Sequence, residues 1–265
     1  MPQATVNGIT LSYTDEGQGP ALVLIHGFPL SRGAWSKQVD AFHSAHRVIA
    51  PDLRGLGQTE AQPGTNTMDR FAGDVHALLQ ELGTGPVVLA GHSMGGYVAL
   101  AFARLYPQSL RGLVLVGTKA GADTPEGAAG RRATAEKVKL EGIDGVVNAM
   151  APKMLAASNQ DAAMAAQVRD LMEPSKPEGV IGALLGMAER PDSTPKLAQI
   201  RVPTLVITGA DDTVIPPAES DLLAKNIPGA QLRVIPNAGH LVAFERPKEF
   251  NAALEEFLHR AAATA

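Results

Sequence analysis

Ser93 is the residue whose sequence context most clearly indicates a chemical role. It lies in the segment AGHSMGGY (residues 90–97), with Gly91 two positions before it and Gly95 two positions after it. A strand-like apolar run precedes this segment and a helix-like run follows it. A Gly-x-Ser-x-Gly segment in that context forms a turn so sharp that the flanking positions have room only for hydrogen. The pattern predicts a serine presented as a nucleophile; the alternatives are a helix cap and a chance match.

A serine hydroxyl is a poor nucleophile at neutral pH, so the hypothesis requires a base. His240 fits best, because it follows a glycine in the loop NAGHLVAFERP, just after the last apolar run. His92 belongs to the turn itself and is expected to point into the scaffold. Four other histidines are expected at the surface or at an edge: His43, His46, His76 and His259.

An acidic group must hold the histidine in the correct tautomer. In the segment VITGADDTVIPP, Asp212 stands three residues after Gly209, at the end of an apolar run. Asp211 is its rival and is expected instead to cap or hold the loop, so we favour Asp212. The run that ends at Val116 is followed by no carboxylate within three residues, which disfavours that position.

Attack on a carbonyl also needs two N–H groups aimed at the developing negative charge. The backbone N–H of Met94, directly after the serine, is one candidate. The second is the N–H of Phe28, in the HGFPL loop that follows the first buried run. His26 in the same loop is expected to brace it rather than to act as a second base.

The groups named above lie next to short apolar runs bounded by turn residues, and these runs are expected to position them. Runs without alternation are typical of strands buried on both faces of a mostly parallel sheet. They cover residues 21–25, 46–52, 86–91, 110–117, 203–209 and 230–236. Helical patterns at 68–83, 95–107 and 247–262 lie between or after them, and Asn7-Gly8 predicts an opening hairpin. This alternation predicts an α/β fold with helices on both sides of the sheet.

The alternation stops between residues 119 and 200, where only helical patterns occur. We therefore predict a core formed by residues 1–118 and 201–265, with residues 119–200 inserted as a helical cap. The insertion has no Phe, Trp or Tyr but holds five of the eight methionines. Those methionines are expected either to fill helix–helix contacts or to line an aliphatic pocket.

Composition excludes several classes of function. The chain has no cysteine, which excludes disulfides, Cys-ligated zinc and thiol catalysis. A net charge of −4 with dispersed Lys and Arg argues against nucleic acid as a partner. The first residues do not match a signal peptide, and no run approaches the roughly 18 apolar residues of a membrane helix. The expected location is the cytoplasm, without a membrane partner.

Five segments resemble, in order, the signature blocks of the α/β-hydrolase superfamily. They are HGFPLSRGAW, PDLRGLGQTE, GHSMGGYVALAFA, TLVITGADDTVIPP and NAGHLVAFERPKEF, and they span nearly the whole chain except the insertion. The chain is most similar to small bacterial esterases, cofactor-free haloperoxidases (perhydrolases) and enol-lactonases. The resemblance implies an α/β-hydrolase fold, a catalytic triad of Ser93, Asp212 and His240, and an oxyanion hole at Phe28 and Met94.

The expected function is that of a serine hydrolase that cleaves small carboxylic esters through an acyl-enzyme, without cofactor or metal. The composition of the insertion favours short to medium acyl chains. A lactonase or a perhydrolase would use the same residues, and both remain alternatives. A small-ligand receptor or regulator on the same scaffold is the alternative from another class. Serine rather than aspartate in the turn disfavours dehalogenation and epoxide opening.

Overall fold

An eight-stranded sheet forms the centre of the structure, a computed structural model that describes residues 2–263. The strands are β1 (Gln3–Val6), β2 (Ile9–Glu16), β3 (Ala21–Ile25), β4 (Arg47–Pro51), β5 (Val87–His92), β6 (Leu110–Val116), β7 (Thr204–Gly209) and β8 (Gln231–Ile235). Their order is β1-β2-β4-β3-β5-β6-β7-β8. The block from β4 to β8 is parallel, whereas β1 and β2 are antiparallel to their neighbours. The predicted hairpin and mostly parallel sheet are confirmed.

Helices cover the sheet and form the segment that interrupts it. Within residues 2–263 they are α1 (Ser36–Phe42), α2 (Met68–Glu81), α3 (Met94–Leu105), α4 (Pro125–Glu141), α5 (Asp144–Met150), α6 (Ala162–Asp170), α7 (Pro177–Ala188), α8 (Pro217–Asn226), α9 (Val242–Glu245) and α10 (Pro247–Ala263). The three predicted helices correspond to α2, α3 and α10, whereas α1, α8 and α9 were not predicted. No helix in the described part of the chain combines the length and the apolar character needed to span a bilayer.

Each central strand is buried on both faces. Val23 and Leu89 pack in one apolar cluster with residues of α2, α3 and α8. Leu22 and Val88, their neighbours in sequence, pack in a second cluster with residues of α1 and α10. Successive side chains of a strand point to opposite faces of the sheet, so both faces need apolar residues. This explains why the runs lack alternation.

Local signals set several boundaries of these elements. Asn7 and Gly8 have φ angles of 47° and 76°, the left-handed pair required by the tight turn between β1 and β2. Thr67 accepts a hydrogen bond of 3.1 Å from the backbone N–H of Arg70 at the start of α2. Thr124 caps α4 in the same way, with Pro125 in the first turn.

The helices α4 to α7 lie between β6 and β7, where the sequence predicted an insertion. Among the described residues from 119 to 200 no strand is present. This segment contacts the carboxyl edge of the sheet, since the N–H of Leu241 donates a hydrogen bond of 2.7 Å to the carbonyl oxygen of Met154.

A buried ion pair between Arg54 and Asp74 connects the loop after β4 to α2. The Arg54 guanidinium donates two hydrogen bonds of 2.7 Å to the Asp74 carboxylate, and the two side chains are 1% and 2% exposed. Asn7 donates a further bond of 3.0 Å to Asp74 and so connects the opening hairpin to the same helix.

Loss of one partner would leave the other charge buried and unpaired. Arg54→Met is expected to lower the free energy of unfolding by about 3–5 kcal/mol. Arg104 is the matched control, because its pair with Asp69 is 40% and 50% exposed, and Arg104→Met should cost less than about 1 kcal/mol. Urea denaturation of both variants measures the difference; equal losses would contradict the assigned role of the buried pair.

Candidate active site

Ser93 occupies the turn between β5 and α3 with a backbone conformation that non-glycine residues rarely adopt, φ 53° and ψ −116°. The turn is held from β6, because the N–H of Ser93 donates to the carbonyl oxygen of Val116 at 2.8 Å. Thr118 donates its hydroxyl to the carbonyl oxygen of Ser93, also at 2.8 Å. A Cβ atom on Gly91 would overlap the carbonyl group of Gly95, so the turn requires glycine there.

Three side chains from separate loops meet at this turn. Ser93 Oγ lies 2.8 Å from His240 Nε2, and His240 Nδ1 lies 2.8 Å from Asp212 Oδ2. An ionised carboxylate can only accept hydrogen bonds, so Nδ1 carries the proton. His240 Nε2 therefore accepts the hydroxyl proton of Ser93. All three residues are at least nine-tenths buried.

The loop after β7 separates the two neighbouring aspartates. Asp212 is buried, and its Oδ1 accepts hydrogen bonds of 2.9 Å from the N–H groups of Val214 and Ile215. Asp211 is exposed and uses its backbone N–H to donate to the carbonyl oxygen of Ala238. The structure thus brings Asp212 to His240 and leaves Asp211 in solvent.

His92 holds the backbone of the histidine loop. Its Nε2 donates a hydrogen bond of 2.9 Å to the carbonyl oxygen of His240. Burial places the pKa of His92 well below the ordinary histidine value, and the neighbouring His240 lowers it further. His92 is therefore a neutral donor. The sequence indicated that this ring points inward, but it gave no sign of the contact with His240.

The HGFPL loop passes directly beside the serine. A Cβ on Gly27 would lie 3.0 Å from Ser93 Cβ and 2.7 Å from His92 Nδ1. Among the described residues, neither the backbone N–H of Phe28 nor that of Met94 has a hydrogen-bond partner. Two unsatisfied N–H groups therefore flank the serine, one from each predicted position.

His26 braces the same loop from beneath. Its Nδ1 donates to the carbonyl oxygen of Gly27 at 2.8 Å, and its Nε2 accepts from the N–H of Leu53 at 2.9 Å. Burial lowers its pKa, so the ring stays neutral. Asp52 supports the end of the loop by accepting hydrogen bonds from the backbone N–H and the guanidinium of Arg32. These hydrogen bonds hold the loop in place next to Ser93.

A cavity of about 160 Å³ opens in front of Ser93. Met150 and Met187 of the helical segment line it together with Phe28 and Tyr97. Met154 and Met172 instead pack in an apolar cluster with Phe244 and neighbouring residues. Met154 and Met172 thus fill apolar contacts, whereas Met150 and Met187 contribute to the wall of a cavity that charged side chains also line.

Glu245 is a buried carboxylate that the sequence analysis missed. It accepts hydrogen bonds from the N–H of Gly239 at 2.6 Å, from the N–H of Ala156 at 3.1 Å and from the side-chain amide of Asn159 at 2.7 Å. It therefore ties the residue before His240 to the helical segment. Its position directly after the apolar run LVAF was the only signal in the sequence.

The arrangement can perform a defined type of chemistry. A hydroxyl in contact with a neutral imidazole, itself oriented by a carboxylate, can be deprotonated as it attacks an electrophilic carbon. Flanking N–H groups can stabilise an oxyanion formed there. Within residues 2–263, no three His, Asp or Glu side chains are grouped so as to hold a metal ion.

Known proteins share this fold and length. The family model of the alpha/beta hydrolase fold matches residues 20–247. The structure of a thermophilic esterase from Thermogutta terrifontis, with malate bound, is 42% identical, covers 98% of this chain and 97% of its own, and has a TM-score of 0.94. The enol-lactonase from Burkholderia xenovorans LB400 is 30% identical over 97% of this chain and 100% of its own, with a TM-score of 0.91.

A curated relative adds a further activity to this group. The 2-hydroxy-6-oxononadienedioate/2-hydroxy-6-oxononatrienedioate hydrolase of Burkholderia vietnamiensis is 31% identical and covers 95% of this chain and 92% of its own length.

The backbone strain at Ser93 predicts an unusual order of stability. Ser93→Gly and Ser93→Ala both remove the hydroxyl, but only glycine adopts this conformation without strain. Ser93→Gly should therefore have the larger free energy of unfolding, by about 1–2 kcal/mol. At Ser36, with φ −51° and ψ −45°, the order should reverse because glycine is a poor helix former. Chemical denaturation of the four variants tests this, and the same order at both sites would refute it.

Removal of the Glu245 carboxylate should destabilise the histidine loop. Glu245→Ala leaves two buried backbone N–H donors, those of Gly239 and Ala156, without an acceptor, and each such loss costs about 1–3 kcal/mol. The half-buried Asn159 amide also loses its acceptor. We expect a large fall in the free energy of unfolding, with Glu245→Gln between this variant and wild type. Glu249→Ala, at an exposed carboxylate of the next helix, should change it by less than about 1 kcal/mol. If Glu245→Ala lowers the free energy of unfolding no more than Glu249→Ala does, Glu245 does not hold the loop as described.

Proposed function

The chain belongs to the α/β-hydrolase family, and we propose that it is a serine hydrolase that cleaves carboxylic esters of small molecules. Ser93 is the proposed nucleophile, His240 the base and Asp212 the group that orients it. The observation that carries the proposal is the unbroken hydrogen-bond chain from Ser93 Oγ through His240 to Asp212, with both links at 2.8 Å. The esterase relative of 42% identity supports the same class of substrate.

The reaction proceeds in two halves. His240 Nε2 takes the hydroxyl proton as Ser93 Oγ attacks the ester carbonyl, and Asp212 stabilises the imidazolium that forms. His240 then returns the proton to the departing alcohol, which leaves an acyl group on Ser93. Water, deprotonated by the same histidine, releases the acid and restores the serine.

The N–H groups of Phe28 and Met94 are the proposed oxyanion hole. Both lack hydrogen-bond partners among the described residues, and the Gly27 backbone lies against Ser93. The bracing of this loop by His26 supports the role, since preorganised donors need no rearrangement as charge develops. Loss of one such donor typically slows turnover by about 100- to 1,000-fold.

We propose that residues 119–200 form a cap on a hydrolase core of residues 1–118 and 201–265, of which residues 1, 264 and 265 lie outside the described part of the chain. Met150 and Met187 from the cap line one part of the Ser93 cavity, which supports contact there with an aliphatic portion of an acyl group. The cavity of about 160 Å³ shares Phe28, Arg131 and Met150 with a second cavity of about 600 Å³ between α4, α5 and α7. Short to medium acyl chains suit the smaller volume.

Hydrolysis of 4-nitrophenyl esters from acetate to decanoate tests the proposal. Ser93→Ala should lower kcat by at least about 1,000-fold, because the nucleophile is lost. Asp212→Asn should also lower kcat strongly, because it no longer fixes the tautomer of His240. Asp211→Asn is the matched control next to it in sequence and should leave kcat unchanged.

The outcomes separate the candidates. Turnover that persists in Ser93→Ala would refute the proposed nucleophile. Turnover of lactones but not of linear esters would replace the esterase with a lactonase, and products that require hydrogen peroxide would indicate a perhydrolase. Ligand binding without turnover of any ester or lactone would favour a receptor.

A further inference from the structure

Two cationic side chains line the cavity in front of Ser93. Lys119 follows the end of β6 and Arg131 lies in α4, and both contribute to the wall of the cavity of about 160 Å³. Each side chain is 27% exposed, so both remain accessible to a molecule in the cavity. The ester chemistry proposed above does not use either of them.

Behind this wall, the carboxylate of Asp123 forms ion pairs with three cationic side chains. Asp123 lies 3.5 Å from Lys119 Nζ, 2.5 Å from Arg131 Nε and 3.0 Å from Arg190 Nη1. Burial by itself would raise the pKa of the Asp123 carboxyl, but its contacts with Arg131 and Arg190 outweigh burial and lower it. Asp123 is therefore ionised, and it cancels one positive charge of the three.

Arg190 is the buried cation of this cluster. Its side chain is 3% exposed and its guanidinium lies 4.1 Å from the centre of the Tyr97 ring. It donates hydrogen bonds to the carbonyl oxygens of Gly121 and Met187. Burial raises the pKa of Tyr97, so this phenol stays neutral and adds no negative charge.

Other charged groups do not remove the excess. Glu219 lines the cavity from α8, so the cavity wall and its ion-pair partners contain three cations and two carboxylates, with a net charge of +1. The Asp212 carboxylate does not line this cavity and is hydrogen-bonded to His240. Lys137 and Glu141 line the outer, larger cavity and cancel each other. Arg131 donates a hydrogen bond to Asp123 through Nε alone. Among the described residues, its Nη1 and Nη2 have no hydrogen-bond partner. The two unoccupied nitrogens and Lys119 Nζ are donors suited to a carboxylate.

We infer that Lys119 and Arg131 bind a free carboxylate carried by the substrate, so that the enzyme prefers esters of anionic molecules. The inference rests on the proposed ester hydrolysis at Ser93. An Arg guanidinium binds a carboxylate through parallel hydrogen bonds, and Lys adds a point charge. The low dielectric of a half-buried wall strengthens both contacts relative to water. Contacts of this type discriminate by about 10- to 100-fold.

Matched substrate pairs test the preference. Mono-4-nitrophenyl adipate carries a carboxylate on the acyl side, and its methyl ester is the neutral counterpart. 4-Acetoxybenzoate and methyl 4-acetoxybenzoate place the same difference on the alcohol side. For each pair the measured quantity is the ratio of kcat/KM, anionic over neutral. Intrinsic reactivity cancels when the ratios of wild type and variant are compared.

The expected result is a ratio that falls by about 10-fold or more in Arg131→Met and in Lys119→Met for at least one pair. The pair that responds identifies the side of the ester that carries the carboxylate. Arg132→Met is the matched control, because Arg132 is the exposed neighbour on α4, and its ratio should equal that of wild type. The wild-type preference should also weaken as salt is raised.

Unchanged ratios in both variants, with turnover that still depends on Ser93, would overturn this inference and leave the proposed function intact. Absence of any Ser93-dependent turnover would overturn both. Should the cavity variants fail to fold, inhibition of wild type by adipate and by hexanoate replaces them. Adipate, with its second carboxylate, is expected to inhibit at least about 10-fold more strongly; equal inhibition would overturn the inference.

Discussion

The hydrogen bond between Ser93 and His240 joins two loops that are 147 residues apart in the chain. It can form only because β5 and β8 run parallel in one sheet and present their carboxyl ends at the same edge. The loop after β7, which lies between them in the sheet order, delivers Asp212 to the same point. Loops at the carboxyl ends of parallel strands converge in this way in open α/β sheets. The loop after β3, which carries Phe28, also begins at this edge of the sheet.

Burial determines the charge state of the groups around this edge. His26 and His92 are held neutral by the cost of desolvating a charged ring, and each then donates a hydrogen bond to a loop carbonyl. The buried carboxylates of Asp212 and Glu245 are instead stabilised by backbone N–H groups. Neutral rings and hydrogen-bonded carboxylates together hold the loops that carry the proposed catalytic groups.

The helical segment between β6 and β7 contributes to the site in three separate ways. Its methionines line the cavity, its backbone holds the histidine loop through Glu245 and Leu241, and its cations set the charge of the cavity wall. The turn after β5 supplies Ser93, whereas the helical segment supplies much of the cavity wall in front of it.

The sequence alone determined the strands, the hairpin at Asn7-Gly8 and the sharp turn at Ser93. Each of these depends on residues that are neighbours in the chain, through apolar runs, left-handed backbone angles and the space left by glycine. The helices α1 and α9 were not predicted because seven and four residues give little periodicity. In α8 only Ser220 and Leu223 are buried, so no apolar stripe marks this helix in the sequence. Only the tertiary structure decided that Asp212 rather than Asp211 faces His240, since the path of one loop separates them. The same holds for Glu245 and for the shared carboxylate of Asp123, because their partners are distant in sequence and meet only when the folded chain brings the helical segment against the edge of the sheet.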